Sequence, residues 1–191
     1  VTALRPALFL DRDGTIIHDA HYLADATRVR LLRGAAAAVA SANARGMLTI
    51  VVTNQSGIAR GLITATQYEA VRAQTDRLLA REGAHVDATM HCPHSPEVSG
   101  PCDCRKPGLG MYQYAAAAFN IDLAASAYIG DRWRDVEPGR MLGGYGFLIP
   151  GSETPEADLE HARTHVSLRV HIVESISDAV ARALALIAPV T

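Results

Sequence analysis

The run Arg5-Pro6-Ala7-Leu8-Phe9-Leu10-Asp11-Arg12-Asp13-Gly14-Thr15 joins a short apolar segment directly to two carboxylates. Ala7–Leu10 holds no polar residue, which is the pattern of a strand buried on both faces. Such strands belong to parallel sheets covered by helices. The acidic motif falls at the strand's carboxyl end, where open α/β sheets bind their ligands.

The same succession recurs further along. Leu48–Val52 (LTIVV) is rich in β-branched residues and runs into Thr53-Asn54-Gln55-Ser56-Gly57; Ala127–Ile129 runs into Gly130-Asp131-Arg132. Helical segments lie between: Gly34–Arg45 with Gly46 as its stop, Thr64 to Arg81 opened by Thr64 and Gln67 at capping-box spacing, and Met111–Phe119. Val86–Met90, Gly146–Ile149 and Val170–Val173 read as further strands, and Ile176–Ile187 as a closing helix. Trp133–Leu142 reads as a weaker helix interrupted near Pro138 and Gly139, and Gly151–Glu160 as a polar surface excursion. This alternation predicts an α/β fold, a Rossmann-like parallel sheet with helices on both faces. Residues 1–191 are expected to form a single domain. None of the gaps is long enough for a large cap domain. The sheet would bring Asp11, Thr53 and Asp131 to one edge.

Composition narrows the function classes. Among 191 residues, 49% are hydrophobic and 20% charged, with a net charge of -2 and no Lys/Arg block to track a nucleic-acid backbone. No apolar run approaches membrane-spanning length, and the N-terminus lacks the apolar region and cleavage site of a secretory signal. The expectation is a cytoplasmic monomer acting on a small molecule, with no nucleic-acid or membrane partner.

Four motifs carry chemistry. Asp11 and Asp13 bring two carboxylates together, which is costly unless a cation sits between them or one holds a proton. Both conditions suit phosphoryl transfer, since Mg²⁺ takes carboxylates plus phosphate oxygens and a carboxylate can attack phosphorus. Taken alone, Asp11–Thr15 reads equally as a turn. Thr53 and the N–H groups around Asn54, Gln55 and Ser56 make a phosphate cradle, or simply a polar loop. In Arg105-Lys106-Pro107, a fixed Lys can neutralise a phosphoryl group and an Arg can grip a second anion, unless both are merely solvated. Asp131 stands where a metal ligand would be needed. Asp135 would face the same way one turn on, or act as an N-terminal helix cap.

All three cysteines fall in the Pro-, Gly- and Ser-rich stretch His91–Gly108, as Cys92, Cys102 and Cys104. An odd, clustered count is a poor disulfide framework and a better metal site. With His94 they make a Cys₃His set suited to tetrahedral structural Zn²⁺, with His91 as a competing ligand. His18 and His21 fall in a candidate substrate loop. His85, His161, His165 and His171 have no motif around them.

Taken together and in this order, the motifs at Asp11/Asp13, Thr53, Lys106 and Asp131 resemble the haloacid dehalogenase-like phosphatases. Cys92-Pro93-His94, Cys102-Asp103-Cys104-Arg105-Lys106-Pro107 and Gly110-Met111 look like the zinc-loop branch of that family. Asp19-Ala20-His21-Tyr22 and Thr53–Arg60 (TNQSGIAR) are similar to its sugar-bisphosphate members; the similarity covers about residues 7–150. The resemblance implies a Mg²⁺-dependent phosphatase that removes the C7 phosphate of a heptose 1,7-bisphosphate through a phospho-aspartate. It assigns Asp11 as nucleophile and Asp13 as acid/base. Thr53 and Lys106 would stabilise the phosphoryl group, and Asp11, Asp13 (through its carbonyl) and Asp131 would hold Mg²⁺. Asp19, His21, Tyr22, Asn54, Gln55, Ser56, Arg105 and Arg132 would bind the phosphorylated sugar. Arg132 departs from the Lys usual in that branch, keeping charge but not geometry. The competing readings are a histidinol-phosphate phosphatase, a non-catalytic zinc-binding interaction module, and a polynucleotide 3′-phosphatase.

Overall fold

A computed structural model describes residues 3–187. Its centre is a six-stranded sheet in the order β3-β2-β1-β4-β5-β6, with every pairing parallel. The strands are β1 (Ala7–Leu10), β2 (Leu48–Asn54), β3 (Ala88–Cys92), β4 (Ala127–Gly130), β5 (Tyr145–Leu148) and β6 (Val170–Ile172). The helices are α1 (Ala35–Ala44), α2 (Ala65–Arg81), the short α3 (Pro96–Ser99), α4 (Gly110–Phe119), α5 (Trp133–Leu142), α6 (Glu156–His165) and α7 (Ile176–Leu186).

Alternation along the strands divides the core into two sides. Leu8, Leu10, Val51, Ala127, Ile129 and Phe147 face one cluster, with Val39, Val71 and Val180 of α1, α2 and α7. Ala7, Phe9, Ile50, Val52 and Tyr128 face the other, with Met111, Tyr112 and Ala115 of α4. There Phe9 meets Tyr112 edge-on at 5.2 Å and stacks on Tyr128 at 5.0 Å. Each such pair contributes about 0.5–1.5 kcal/mol beyond burial. This packing fixes β1 between β2 and β4, so the ends of all three strands open at one edge.

Three local expectations change. Helix α5 runs unbroken through Pro138 and Gly139. Pro138 removes only its own N–H, and Val136, Pro138 and Gly139 are buried, so packing holds the helix. A Cβ on Gly139 would come within 2.7 Å of the Tyr128 ring, so the glycine permits close approach instead of interrupting the helix. Residues Glu156–His165 form α6 where the sequence suggested a polar excursion. Its N-terminus carries Glu156 and Asp158, and its last turn Arg163 and His165, which matches the helix dipole. It buries Ala162 alone, so apolar periodicity gave no trace of it. Strand β3 begins two residues after Val86, because Asp87 pairs with Thr49 through both its backbone N–H and its carboxylate.

Candidate active site

Asp11 follows β1 immediately, and its N–H is tied to the Ile129 carbonyl at 2.9 Å. Asp131 follows β4, and Asp135 stands in the first turn of α5. Lys106 reaches beneath them from the loop before α4, with 3% of its surface exposed. Its ammonium donates to Asp11 Oδ1 at 2.6 Å and to the Val52 carbonyl at 2.5 Å. Asp135 Oδ1 lies 2.7 Å away as an ion pair whose angle falls outside that of a hydrogen bond. Burial opposes the Lys106 charge, but Asp11 and Asp135 outweigh it and hold the ammonium above its ordinary pKa.

Asp11, Asp131 and Asp135 each offer a carboxylate oxygen within 4.8 Å of the others. Burial, then the charges of Asp11 and Asp135, push Asp131 up to about 7. Burial also raises Asp135, against the pull of Lys106. Lys106 pairs with Asp11 and Asp135, and Arg132 lies 3.5 Å from Asp131. An all-oxygen donor set of this kind fits Mg²⁺. The Asp13 carbonyl accepts no hydrogen bond among the described residues and is available as a further oxygen. Two glycines let the acids converge. A Cβ on Gly14, whose φ is 81°, would stand 2.5 Å from Asp131 Oδ2, and one on Gly130 would collide with Asp135. Asp135 faces the same way as Asp131, as foreseen, and also caps α5, its Oδ2 accepting from the Arg132 N–H at 3.0 Å.

The carboxylate of Asp13 turns elsewhere. Arg12 Nε and Nη2 lie 2.9 to 3.3 Å from its two oxygens, and Gln55 Nε2 donates to Oδ2 at 2.9 Å. The same Gln55 nitrogen donates to Thr53 Oγ1 at 2.9 Å. Burial raises the Asp13 pKa; Arg12 opposes that rise and Asp11 adds to it.

A cavity of about 280 Å³ opens over these groups. It is lined by Asp11, Asp13, Asp19, His21, Tyr22, Thr53, Asn54, Gln55, Ser56, Arg105, Asp131 and Arg132, all foreseen from the sequence, and by Arg12, Gly57, Arg60 and Arg134, which were not. His18 lies outside it. Arg60, Arg105, Arg132 and Arg134 in its lining make a strongly anion-attracting site. His21 and Tyr22 adopt φ of 41° and 53°, and the Asp19 carboxylate accepts the His21 N–H at 2.9 Å. The Tyr22 ring fits over Gly57, where a Cβ would meet it at 2.5 Å. Asn54 uses both ends of its amide on the Lys106 backbone, so its main contact is with the loop that carries Arg105 and Lys106.

The second cluster is Cys92, His94, Cys102 and Cys104. Its Cys92–Cys102 and Cys102–Cys104 sulfur separations are 3.7 and 3.5 Å, Cys92–Cys104 is 2.9 Å, and His94 Nδ1 lies 3.7 and 3.2 Å from Cys92 and Cys104. A zinc tetrahedron with bonds of about 2.3 Å to sulfur has edges of about 3.5–3.8 Å, so a small expansion of this set would close around the ion. His91 is excluded from the cluster by strand alternation. It faces the opposite side from Cys92, with its ring 4.3 Å from that of Tyr68 and tilted 37° to it. Burial and the neighbouring thiols push Cys104 up to about 12, the protonated state that a bound cation would reverse. Cys92 joins this cluster to the cavity wall, because its carbonyl accepts the Gln55 N–H at 2.7 Å.

Residues 103–179 match the HAD-hydrolase-like family. A D-glycero-β-D-manno-heptose-1,7-bisphosphate 7-phosphatase of Rhodopseudomonas palustris is 38% identical over 154 residues, 78% of this chain and 86% of the relative. The enzyme of that name from Escherichia coli is 40% identical over 161 residues, 80% of this chain and 85% of the relative. The solved D,D-heptose 1,7-bisphosphate phosphatase of B. bronchiseptica, complexed with magnesium and phosphate, superposes with a TM-score of 0.82 at 30% identity, covering 94% of this chain and 98% of that one. The chain belongs to the HAD-like hydrolases, in the family of these heptose-bisphosphate phosphatases.

Proposed function

We propose that the protein hydrolyses the C7 phosphate of D-glycero-β-D-manno-heptose 1,7-bisphosphate, leaving the 1-phosphate. The observation that carries this reading is the Asp11–Lys106–Asp135 arrangement beneath an arginine-ringed cavity. It fixes one carboxylate beside a buried ammonium at the strand ends. Similarity to relatives of that name supports the substrate.

In the proposed reaction, an Asp11 oxygen forms a bond to phosphorus as the phosphorus–oxygen bond to the sugar breaks. The sugar oxygen takes the proton of Asp13, which becomes a carboxylate. Water then attacks phosphorus and gives its proton to Asp13, and Asp11 leaves as a carboxylate. Thr53 and Lys106 stabilise the equatorial oxygens during both transfers. Mg²⁺ held by Asp11, Asp131, the Asp13 carbonyl and the capping carboxylate Asp135 would supply charge neutralisation for the phosphoryl group. Arg105 and Arg132 grip the far phosphate, with Asp19, His21, Tyr22 and Ser56 shaping the sugar subsite.

The Cys₃His cluster is proposed to hold structural Zn²⁺. All its positions are filled by side chains, and none of them lines the cavity, so the ion has no open position for chemistry. Its part is to shape the loop carrying Arg105 and Lys106.

The test is phosphate release from the heptose bisphosphate with Mg²⁺, beside histidinol phosphate. Fast release from the heptose supports the assignment. Release only from histidinol phosphate keeps the chemistry and overturns the substrate. Release from neither, by folded protein, overturns the enzymatic reading.

A further inference from the structure

Arg12 separates the two acids of the motif and is buried, with 3% of its surface exposed. Its guanidinium is fixed from two sides. Along one edge, Nε and Nη2 contact both oxygens of Asp13. Across its face lies the Tyr68 ring, 5.5 Å from the guanidinium carbon. Tyr68 is in turn backed by His91. The Arg12 carbonyl accepts the Ile16 and Ile17 N–H groups at 2.9 and 3.0 Å, so its backbone is held in the turn as well.

What Arg12 does not do is equally informative. Asp13 is its one acidic partner among the described residues, and Nη1 is buried with no partner there. The Tyr68 hydroxyl is likewise unpartnered, so this ring serves as a platform and not as a hydrogen-bonding group. A guanidinium that only balanced charge would need no fixed fork geometry. This one is oriented instead for a two-pronged grip on a single carboxylate, which is a geometric device before it is an energetic one.

An aspartate at an open cavity has two free torsions and several anionic and cationic neighbours to turn toward. Asp13 has three donors, two from Arg12 and one from Gln55, that leave one orientation. We infer that Arg12, seated on Tyr68, is a positioning residue: it holds the Asp13 carboxyl in the orientation from which it protonates the departing oxygen. This rests on the reading of Asp13 as proton donor.

The experiment compares two substrates with leaving groups that differ in their need for a proton. A sugar phosphate needs one; a nitrophenyl phosphate does not. Arg12→Lys, Arg12→Met and Asp13→Asn are assayed on both. Water activation by Asp13 is common to both substrates, so the readout is the single-turnover rate of leaving-group release: for the Arg12 variants it should fall about 10²-fold on the sugar phosphate and no more than a few-fold on the aryl ester. Lysine, which keeps charge but not the two-pronged grip, should rescue only in part. Retained single-turnover release of nitrophenol shows that a variant is folded and competent in the first transfer. If Arg12→Lys loses both activities equally while Asp13→Asn loses only the sugar phosphate, the positioning role is overturned and the Asp13 reading stands. If Asp13→Asn itself shows no leaving-group dependence, the Asp13 reading falls first.

Discussion

Two clusters of candidate ligands are linked by one loop, in which Lys106, the counter-charge of the first, lies two residues after Cys104 of the second, and they are built on opposite principles. Asp11 and Asp131 line a cavity with Asp135 buried beside them, and burial and mutual repulsion push Asp131 up to about 7. Cys92, His94, Cys102 and Cys104 face one another, and none of them lines that cavity. The first set leaves room for a phosphate to complete it; the second completes itself. A short loop joins them, with Asn54 holding the Lys106 backbone from the strand side. In the proposed function the first site does the chemistry, and the second holds it in shape.

The sharpest way to break this contrast is at the open site. Asp11→Asn should lower turnover by about 10⁴-fold or more with the fold intact, as loss of a nucleophile does. Lys106→Met should lower kcat by about 10²–10³-fold. It should also cost about 3–5 kcal/mol of stability in urea unfolding, because it leaves two buried acids without their counter-charge. A variant that kept its stability would show that the ion pair is not what holds Lys106 in place.

At the closed site, removing metal with a chelator or Cys102→Ser should raise KM roughly tenfold, at the scale of losing one oriented charged contact, and lower the melting temperature. The fall in kcat should be smaller than the rise in KM. Full activity after complete chelation would sink the division of labour.

A gentler test concerns the charge of the open site. With the Asp131 pKa raised from 3.8 to about 7, metal-free protein binds a proton there that the unfolded chain does not. Its contribution to stability is therefore present below pH 4 and lost as pH rises through about 7. Magnesium affinity should rise over the same window, as metal displaces that proton. Urea unfolding of the metal-free protein measures the first and isothermal titration with Mg²⁺ the second, each at several pH values. The smallest expected effect is Arg60→Ala, which removes an exposed pair with Glu97 at 2.8 Å and should change stability by no more than about 1 kcal/mol.

Much of this contrast was legible before any coordinates. Asp11, Thr53 and Asp131 each directly follow an apolar run, and a parallel sheet can only collect such ends at one edge. The cysteines were legible because they occur nowhere else in the chain. What stayed hidden depends on three-dimensional packing. Arg12 reads as a spacer between two acids until the Tyr68 platform is seen. Arg134 reads as a solvated helix charge until its burial among Asp135, Asp11 and Asp131, whose charges raise it against the cost of desolvation. Helix α6 was silent because one buried alanine leaves no periodicity. No helix among the described residues is long and apolar enough to cross a membrane.

The most direct measurement is rapid-quench mass spectrometry of the peptide containing Asp11, taken during turnover of the heptose bisphosphate with Mg²⁺. The expected result is one phosphoryl group on Asp11, formed before free phosphate appears and absent in Asp11→Asn. Phosphate release at full rate with no phosphorylated peptide at any time, or with Asp11→Asn retaining activity, would contradict Asp11 as the nucleophile.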